Sequence, residues 1–154
     1  MAEQGHQSET TILGRRSLGQ DHQRLAEVLL PGMSVLDVGC GTGAITVGIA
    51  RAVGGGGLVV GMDRDAGMID LARKQHGGET NLRFEVGDAL DLASKESFDV
   101  VAAARTLQWV SNPGLVVSGM ANVTKSGGRV VVLDYNHSQN RWEPEAPVEF
   151  LVFY

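Results

Sequence analysis

Twenty-one of the 154 residues are glycine, and most of them fall in clusters that cut the chain at regular intervals: Gly39-Cys-Gly-Thr-Gly43, Gly54 to Gly57, Gly77-Gly78 and Gly127-Gly128. What lies between the clusters changes period in a fixed order. Leu18, Leu25, Val28 and Leu29 give a helical stripe over 18–30, stopped by Pro31-Gly32. Ser34 to Val38 is a β-branched run that reads as a buried strand. Ile45, Ile49 and Val53 return to helical spacing until Gly54 to Gly57 end it. Leu58 to Met62 is the next strand. Asp65 then reads as the N-cap of a helix carrying Met68, Ile69, Leu71 and Ala72, closed by Gly77-Gly78. Leu82 to Val86 and Phe98 to Ala103 are strands three and four. Asn112-Pro113 is a cap followed by proline at the first helical position, and Val116, Val117, Met120 and Val123 form the apolar face behind it. Gly127-Gly128 are expected to close that helix, with Arg129 to Asp134 as the fifth strand.

Strands separated by single helices imply right-handed crossovers and a mainly parallel sheet with helices on both faces. The expected fold is therefore α/β: a Rossmann-like, doubly wound sheet of five strands. Residues 1–17 are polar and weakly patterned and read as a flexible arm; 18–154 read as one domain. The net charge of −5, without a basic block, argues against a nucleic-acid module. No apolar run approaches the roughly 18 residues of a membrane span. The one cysteine, Cys40, leaves no internal disulfide or cysteine-rich zinc site, and no metal-ligating pattern occurs. These features point to a cytoplasmic protein without membrane or nucleic-acid partners.

Sheets of this type bind ligands beyond the carboxyl ends of their strands. There the first strand delivers Asp37-Val-Gly-Cys-Gly-Thr-Gly43 into a helix. Glycines allow a tight turn and close approach of a ligand to the backbone. Gly39-x-Gly41-x-x-Ala44 also satisfies the loose dinucleotide fingerprint, so a nicotinamide oxidoreductase is one reading. Asp37 opposes it, because a carboxylate two residues before the first glycine repels a pyrophosphate and suits a cationic group. Asp63, which ends the second strand about 20 residues past the loop, suits ribose hydroxyls in either reading.

Val35-Leu-Asp-Val-Gly-Cys-Gly-Thr-Gly43 resembles the first motif of the class I S-adenosylmethionine-dependent methyltransferases, and the likeness runs from about Leu18 to about Pro147. That resemblance implies S-adenosylmethionine as cofactor, with its amino-acid part over Gly39, Cys40 and Gly41 and its ammonium facing Asp37. It further implies that Asp63 holds the ribose and Asp88 the adenine amino group, with Ala89 and Leu90 bordering the ring. Arg64 and Arg105, beside Asp63 and at the fourth strand end, complete the implied cofactor set. Leu107-Gln-Trp109 is similar to members that methylate small molecules or carboxylates; it lacks the Asn-Pro-Pro-aromatic signature of the amino-group enzymes. Trp109 either stacks a substrate or joins the core. No catalytic residue is assigned. His137, past the fifth strand, is a weak candidate base and otherwise a solvated loop residue. One of Arg15, Arg16 and Arg24 could reach the cofactor carboxylate.

Family members add a helix and an antiparallel hairpin after the fifth strand. Here only Trp142 to Tyr154 remain beyond the loop, so the domain is expected to be C-terminally shortened. The fifth strand's bare edge and the apolar tail Phe150 to Tyr154 then suggest a homodimer. Three functions stay open: methyl transfer to a small molecule, a non-catalytic S-adenosylmethionine-binding or interaction module, and NAD(P)-dependent oxidoreduction.

Overall fold

The structure, a computed structural model, describes residues 14–92 and 97–135. In chain order they form α1 (Leu18–Asp21), α2 (Gln23–Val28), β1 (Ser34–Val38), α3 (Ala44–Val53), β2 (Leu58–Asp63), α4 (Ala66–His76) and β3 (Leu82–Val86). Then come β4 (Phe98–Ala104), a single 3-10 turn (Leu107–Trp109), α5 (Pro113–Asn122) and β5 (Thr124–Leu133). The strands are all parallel, in the order β3-β2-β1-β4-β5. The chain winds outward from β1 to β3, then crosses back to β4 and β5. The reversal between β1 and β4 opens a crevice at their carboxyl ends.

Period-two alternation in the strands divides the core between two faces. Val35, Val59, Val100 and Ala102 pack with Ile45, Ile49 and Val53 of α3 and with Leu18 and Leu25. Leu36, Val38, Val60, Val101 and Ala103 pack with Val116 and Met120 of α5. Full burial of each of these valine, leucine, isoleucine and methionine side chains contributes about 1.5–3 kcal/mol, and of the alanines less. Asp37, between Val35 and the far-face Val38, therefore points toward α3. Both expected caps form: Asp65 Oδ1 accepts from the Gly67 and Met68 amides, at 2.8 and 3.2 Å, and Asn112 Oδ1 from Leu115 at 3.1 Å. No helix among the described residues is long and apolar enough to cross a membrane.

Three expectations need correction. The helix expected over 18–30 breaks at His22, whose backbone (φ −148°, ψ 58°) is not helical. The break lets Leu18 settle on Gly48 of α3, where an added Cβ would lie 2.8 Å from that of Leu18. Gly127-Gly128 do not close α5, which ends at Asn122; they lie inside β5. Phe98 pairs with Thr124 but Val100 with Arg129, so the intervening residues bulge out of register. Gly127 has φ +81°, and a Cβ on Gly128 would come 2.8 Å from the Asp99 carbonyl oxygen, so both positions demand glycine. Finally, Val117 is 39% exposed, because it lies one residue, or about 100°, from buried Val116.

Beside that bulge Asp99 ties three strands together. Its Oδ2 accepts from the Ser34 amide and hydroxyl, both at 2.8 Å, and the Lys125 ammonium lies 3.0 Å away. The Ser34 hydrogen bonds, and after them Lys125, hold the Asp99 carboxyl down at about 2. Asp99→Ala should destabilise the domain by about 1–3 kcal/mol, because the buried-side Ser34 amide loses its acceptor. Lys125→Ala should cost less than about 1 kcal/mol, being half-exposed. Urea unfolding of the two variants checks this ranking; equal losses would contradict it.

Candidate functional site

A cleft of about 800 Å³ lies at the carboxyl ends of β1, β2 and β4. Every site residue expected from the sequence within the described residues lines it: Asp37, Gly39, Cys40, Gly41, Asp63, Arg64, Asp88, Ala89 and Arg105. His137 lies outside the described residues.

The floor is the turn from β1 into α3. Gly39, Gly41 and Gly43 all have positive φ (75°, 54° and 76°), which only glycine adopts without strain. Two of them are also closely packed: a Cβ on Gly39 would overlap the Thr106 side chain, and one on Gly43 would lie 2.6 Å from the Phe84 ring. The turn is held by its own donors. The Gly39 and Cys40 amides both bond Met62 O (2.7 and 2.9 Å), Gly41 bonds Asp63 Oδ2 (2.8 Å), and Gly43 bonds Cys40 O (3.0 Å). A pyrophosphate cradle needs such amides free to point at the anion. Here four are committed to the protein, which argues against the dinucleotide reading.

Asp37 supplies the charge argument. It is 3% exposed, and its one hydrogen bond among the described residues is from Thr46 Oγ1 at 2.7 Å. Burial pushes its carboxyl up to about 6; the Thr46 hydroxyl works against that shift, and neighbouring Asp63 adds to it. A carboxylate so sparsely compensated on a cleft wall favours a cationic ligand group. Thr46 is the partner that sequence reading missed. Its signal was its place on the sheet-facing side of α3, nine residues after Asp37.

Asp63 has one bond on each oxygen, from Gly41 N and from Asp65 N (3.0 Å), so each oxygen retains accepting capacity toward the cleft. Asp88 is exposed at the far wall, with Oδ1 fixed by the Leu90 amide at 2.9 Å. The Cys40 thiol is driven far above its usual range by burial and then by Asp37 and Asp63, so it is no nucleophile. Trp109 is 75% exposed at the cleft mouth and does not join the core. Of the three N-terminal arginines, Arg16 lines the cleft, while Arg24 pairs with Glu27 on the surface. Arg16 and Ser17, which caps α1, are among the four described residues of the segment read as an arm. No group of three or more possible metal ligands occurs among the described residues.

Asp37 and His22 should tilt stability in opposite directions with pH. Folded Asp37 keeps its proton up to about 6, whereas the unfolded chain releases it near 3.8, so its contribution declines as pH rises through that window. Among the described residues neither ring nitrogen of buried His22 has a hydrogen-bond partner, and burial lowers its pKa below the ordinary 6.5. The unfolded chain therefore takes up that proton first, and stability falls as pH drops below about 6.5. Asp37→Asn should raise stability above pH 6 by up to about 3 kcal/mol and leave it nearly unchanged at pH 4. His22→Leu should flatten the loss below pH 6.5. Melting curves from pH 4 to 8 check both signs; an Asp37→Asn gain that is no larger at pH 8 than at pH 4 would contradict the desolvation argument.

Known proteins bear on this geometry. The methyltransferase-domain family model matches residues 29–147. The demethylmenaquinone methyltransferase of Lactococcus lactis is 36% identical over 111 residues, covering 70% of this chain and 44% of its own. That of Staphylococcus aureus is 36% identical over 104 residues, covering 67% and 43%. The chain thus spans less than half the length of these curated relatives. An arsenic(III) S-adenosylmethionine methyltransferase from Chlamydomonas reinhardtii superimposes with a TM-score of 0.60 at 26% identity, covering 77% of this chain and 47% of that one. With the family model spanning most of its residues, the chain belongs to the class I S-adenosylmethionine-dependent methyltransferases.

Proposed function

We propose that residues 18–135 and the chain beyond them form the cofactor-binding part of a methyltransferase that acts on a small molecule. The observation that carries this reading is Asp37, a buried carboxylate with a single hydrogen bond among the described residues, on the wall of a cleft where the Gly39, Cys40, Gly41 and Gly43 amides are already used. S-adenosylmethionine matches that wall: its ammonium suits Asp37, its ribose diol the spare acceptors of Asp63, and its adenine amino group Asp88. Gly39, Cys40 and Gly41 give the amino-acid part a surface without large side chains, and Ala89 borders the ring. Arg64, exposed beside Asp63, flanks the ribose end.

When bound, S-adenosylmethionine supplies an electrophilic methyl on a sulfonium, and a nucleophile takes it by in-line displacement. The chain's own part is orientation and exclusion of water. Asp37 and Asp88 would hold the two ends of the cofactor and Asp63 its ribose, below the cleft mouth. Trp109 there offers an exposed aromatic face against which a flat acceptor can stack. The relatives' name, demethylmenaquinone methyltransferase, supports an aromatic acceptor of quinol type. A cytoplasmic location goes with this reading.

Calorimetric titration with S-adenosylhomocysteine tests the assignment. Asp63→Ala should weaken binding about tenfold or more, as expected for loss of a charged hydrogen-bond partner. Affinity of the unaltered chain should fall as pH drops through about 6, because a cation selects ionised Asp37, by up to about tenfold per pH unit. Asp37→Asn should bind weakly and without that slope. Affinities untouched by either substitution would remove these carboxylates from the site.

We also propose that the outer edge of β5 pairs with a second copy. That edge has no strand partner among the described residues, and Val132 is 38% exposed on it. The apolar tail expected to share the contact lies outside the described residues. Sedimentation at micromolar concentration should show a dimer; a strict monomer would discard the pairing.

A further inference from the structure

The glycine turn rests on a small core of its own. Ile69 and Ala72 of α4 pack with Phe84 of β3, and Cys40 from the turn sits against them. One polar side chain enters this contact. His76, the last residue of α4, brings its imidazole to 6.4 Å from the Phe84 ring, centroid to centroid, and its Cδ2 would lie 3.1 Å from a Cβ on Gly43. The same added Cβ would meet Phe84 at 2.6 Å, so imidazole and phenyl together close the space beneath Gly43. Arg73 steadies Phe84 from α4, its Nε and Nη2 donating to the Phe84 carbonyl oxygen at 3.2 and 2.7 Å.

His76 fits this place as a neutral ring. Its Nε2 is buried and has no hydrogen-bond partner among the described residues. A neutral imidazole can carry its proton on Nδ1 and leave Nε2 bare, whereas the cation carries a proton on both nitrogens. A buried charged donor without an acceptor is costly. The charged groups that face the ring are Arg51 of α3 and Glu79 of the loop after α4, which pair with each other at 2.8 Å; β3 presents Phe84, and the turn presents the Thr42 backbone. Burial, and after it Arg51, lower the His76 pKa below the ordinary 6.5, while the Thr42 backbone and Glu79 offset part of that shift. What lies above His76 is the cofactor wall. Thr42 lines the cleft, the Gly43 amide bonds Cys40 O, and the Gly41 amide in the same turn holds Asp63 Oδ2.

We propose that His76 is a positioning residue for the cofactor turn: as a neutral imidazole it props Gly43 and Phe84 in the geometry the nucleoside needs, and taking up a proton drives it from that place, so that protonation of His76 and cofactor binding oppose each other. The inference rests on the methyltransferase reading of the cleft and adds a proton switch beneath it. The sign follows from linkage. The state with a displaced turn binds the proton better, so affinity falls as pH drops through the His76 midpoint, and bound cofactor moves that midpoint down.

The experiment is an NMR pH titration of the full chain, reading the His76 imidazole and the Thr42 and Gly43 amides, without ligand and with S-adenosylhomocysteine. Without ligand, both amides should shift with the midpoint of the His76 ring. That step should vanish in His76→Phe, which keeps an aromatic ring under the turn and leaves Asp37 in place. With S-adenosylhomocysteine, the His76 midpoint should move to lower pH. Calorimetry with 5′-methylthioadenosine, which lacks the ammonium suited to Asp37, supplies the affinity. The unaltered chain should bind it several-fold more weakly at pH 5.5 than at pH 7.5, and His76→Phe should bind it equally at both. A histidine that only fills space would show neither effect: a midpoint indifferent to ligand, or an unchanged pH slope in His76→Phe, would overturn the switch. Should His76→Phe fail to fold, the titration of the unaltered chain decides alone. If neither nucleoside binds, the methyltransferase reading fails, and the ligand-free amides still judge the switch, since Thr42 and Gly43 amides that ignore the His76 midpoint would overturn it.

Discussion

The site depends on one buried carboxylate and the turn that covers it. Asp37 sits at the end of a central strand with Thr46 as its described hydrogen-bond partner, and the glycine turn closes over it by bonding β2. Those bonds have a chemical consequence. Amides that would welcome a phosphate in another doubly wound protein are occupied by Met62 O and Asp63 Oδ2, while the uncompensated charge on the wall is negative. The same topology that elsewhere cradles an anion here prefers a cation. Fold and site must therefore be argued separately.

Rigidity follows from the same residues. Glycines 39, 41 and 43 allow the turn its left-handed conformations, and Thr106 and Phe84 pack where any larger residue would need room. Thr106 also donates to Val38 O at 3.1 Å, tying the end of β4 to the end of β1. The turn is thus braced from β2 on one side and β4 on the other. A ligand entering the cleft meets walls already in position, so little ordering is required on binding.

Much of this could be read from the sequence because it is local. Glycine clusters, the caps at Asp65 and Asn112, and alternation in five short strands each involve residues close in the chain, and all five strands and the sheet type follow from them. Asp37, Asp63 and Asp88 could be placed for the same reason: each ends or follows a strand on the ligand side of the sheet. What escaped was set by distant contacts. The break at His22 depends on Leu18 reaching Gly48, and Gly127-Gly128 serve a bulge against Asp99 rather than a helix terminus. Trp109 in the core and Trp109 at the mouth have the same local sequence; only the turn after β4 decides between them. Arg16 could not be told from Arg15 or Arg24 until α1 brought it to the cleft.

The central claim is that the cleft selects a cationic nucleoside ligand over a dinucleotide. Parallel calorimetric titrations with S-adenosylmethionine and NADH test it most directly. The account predicts saturable binding of S-adenosylmethionine at micromolar concentrations and no measurable heat from NADH. Preferential binding of NADH would contradict it, because a pyrophosphate would then have displaced the internal bonds of Gly39, Cys40 and Gly41 or tolerated the Asp37 charge beneath them.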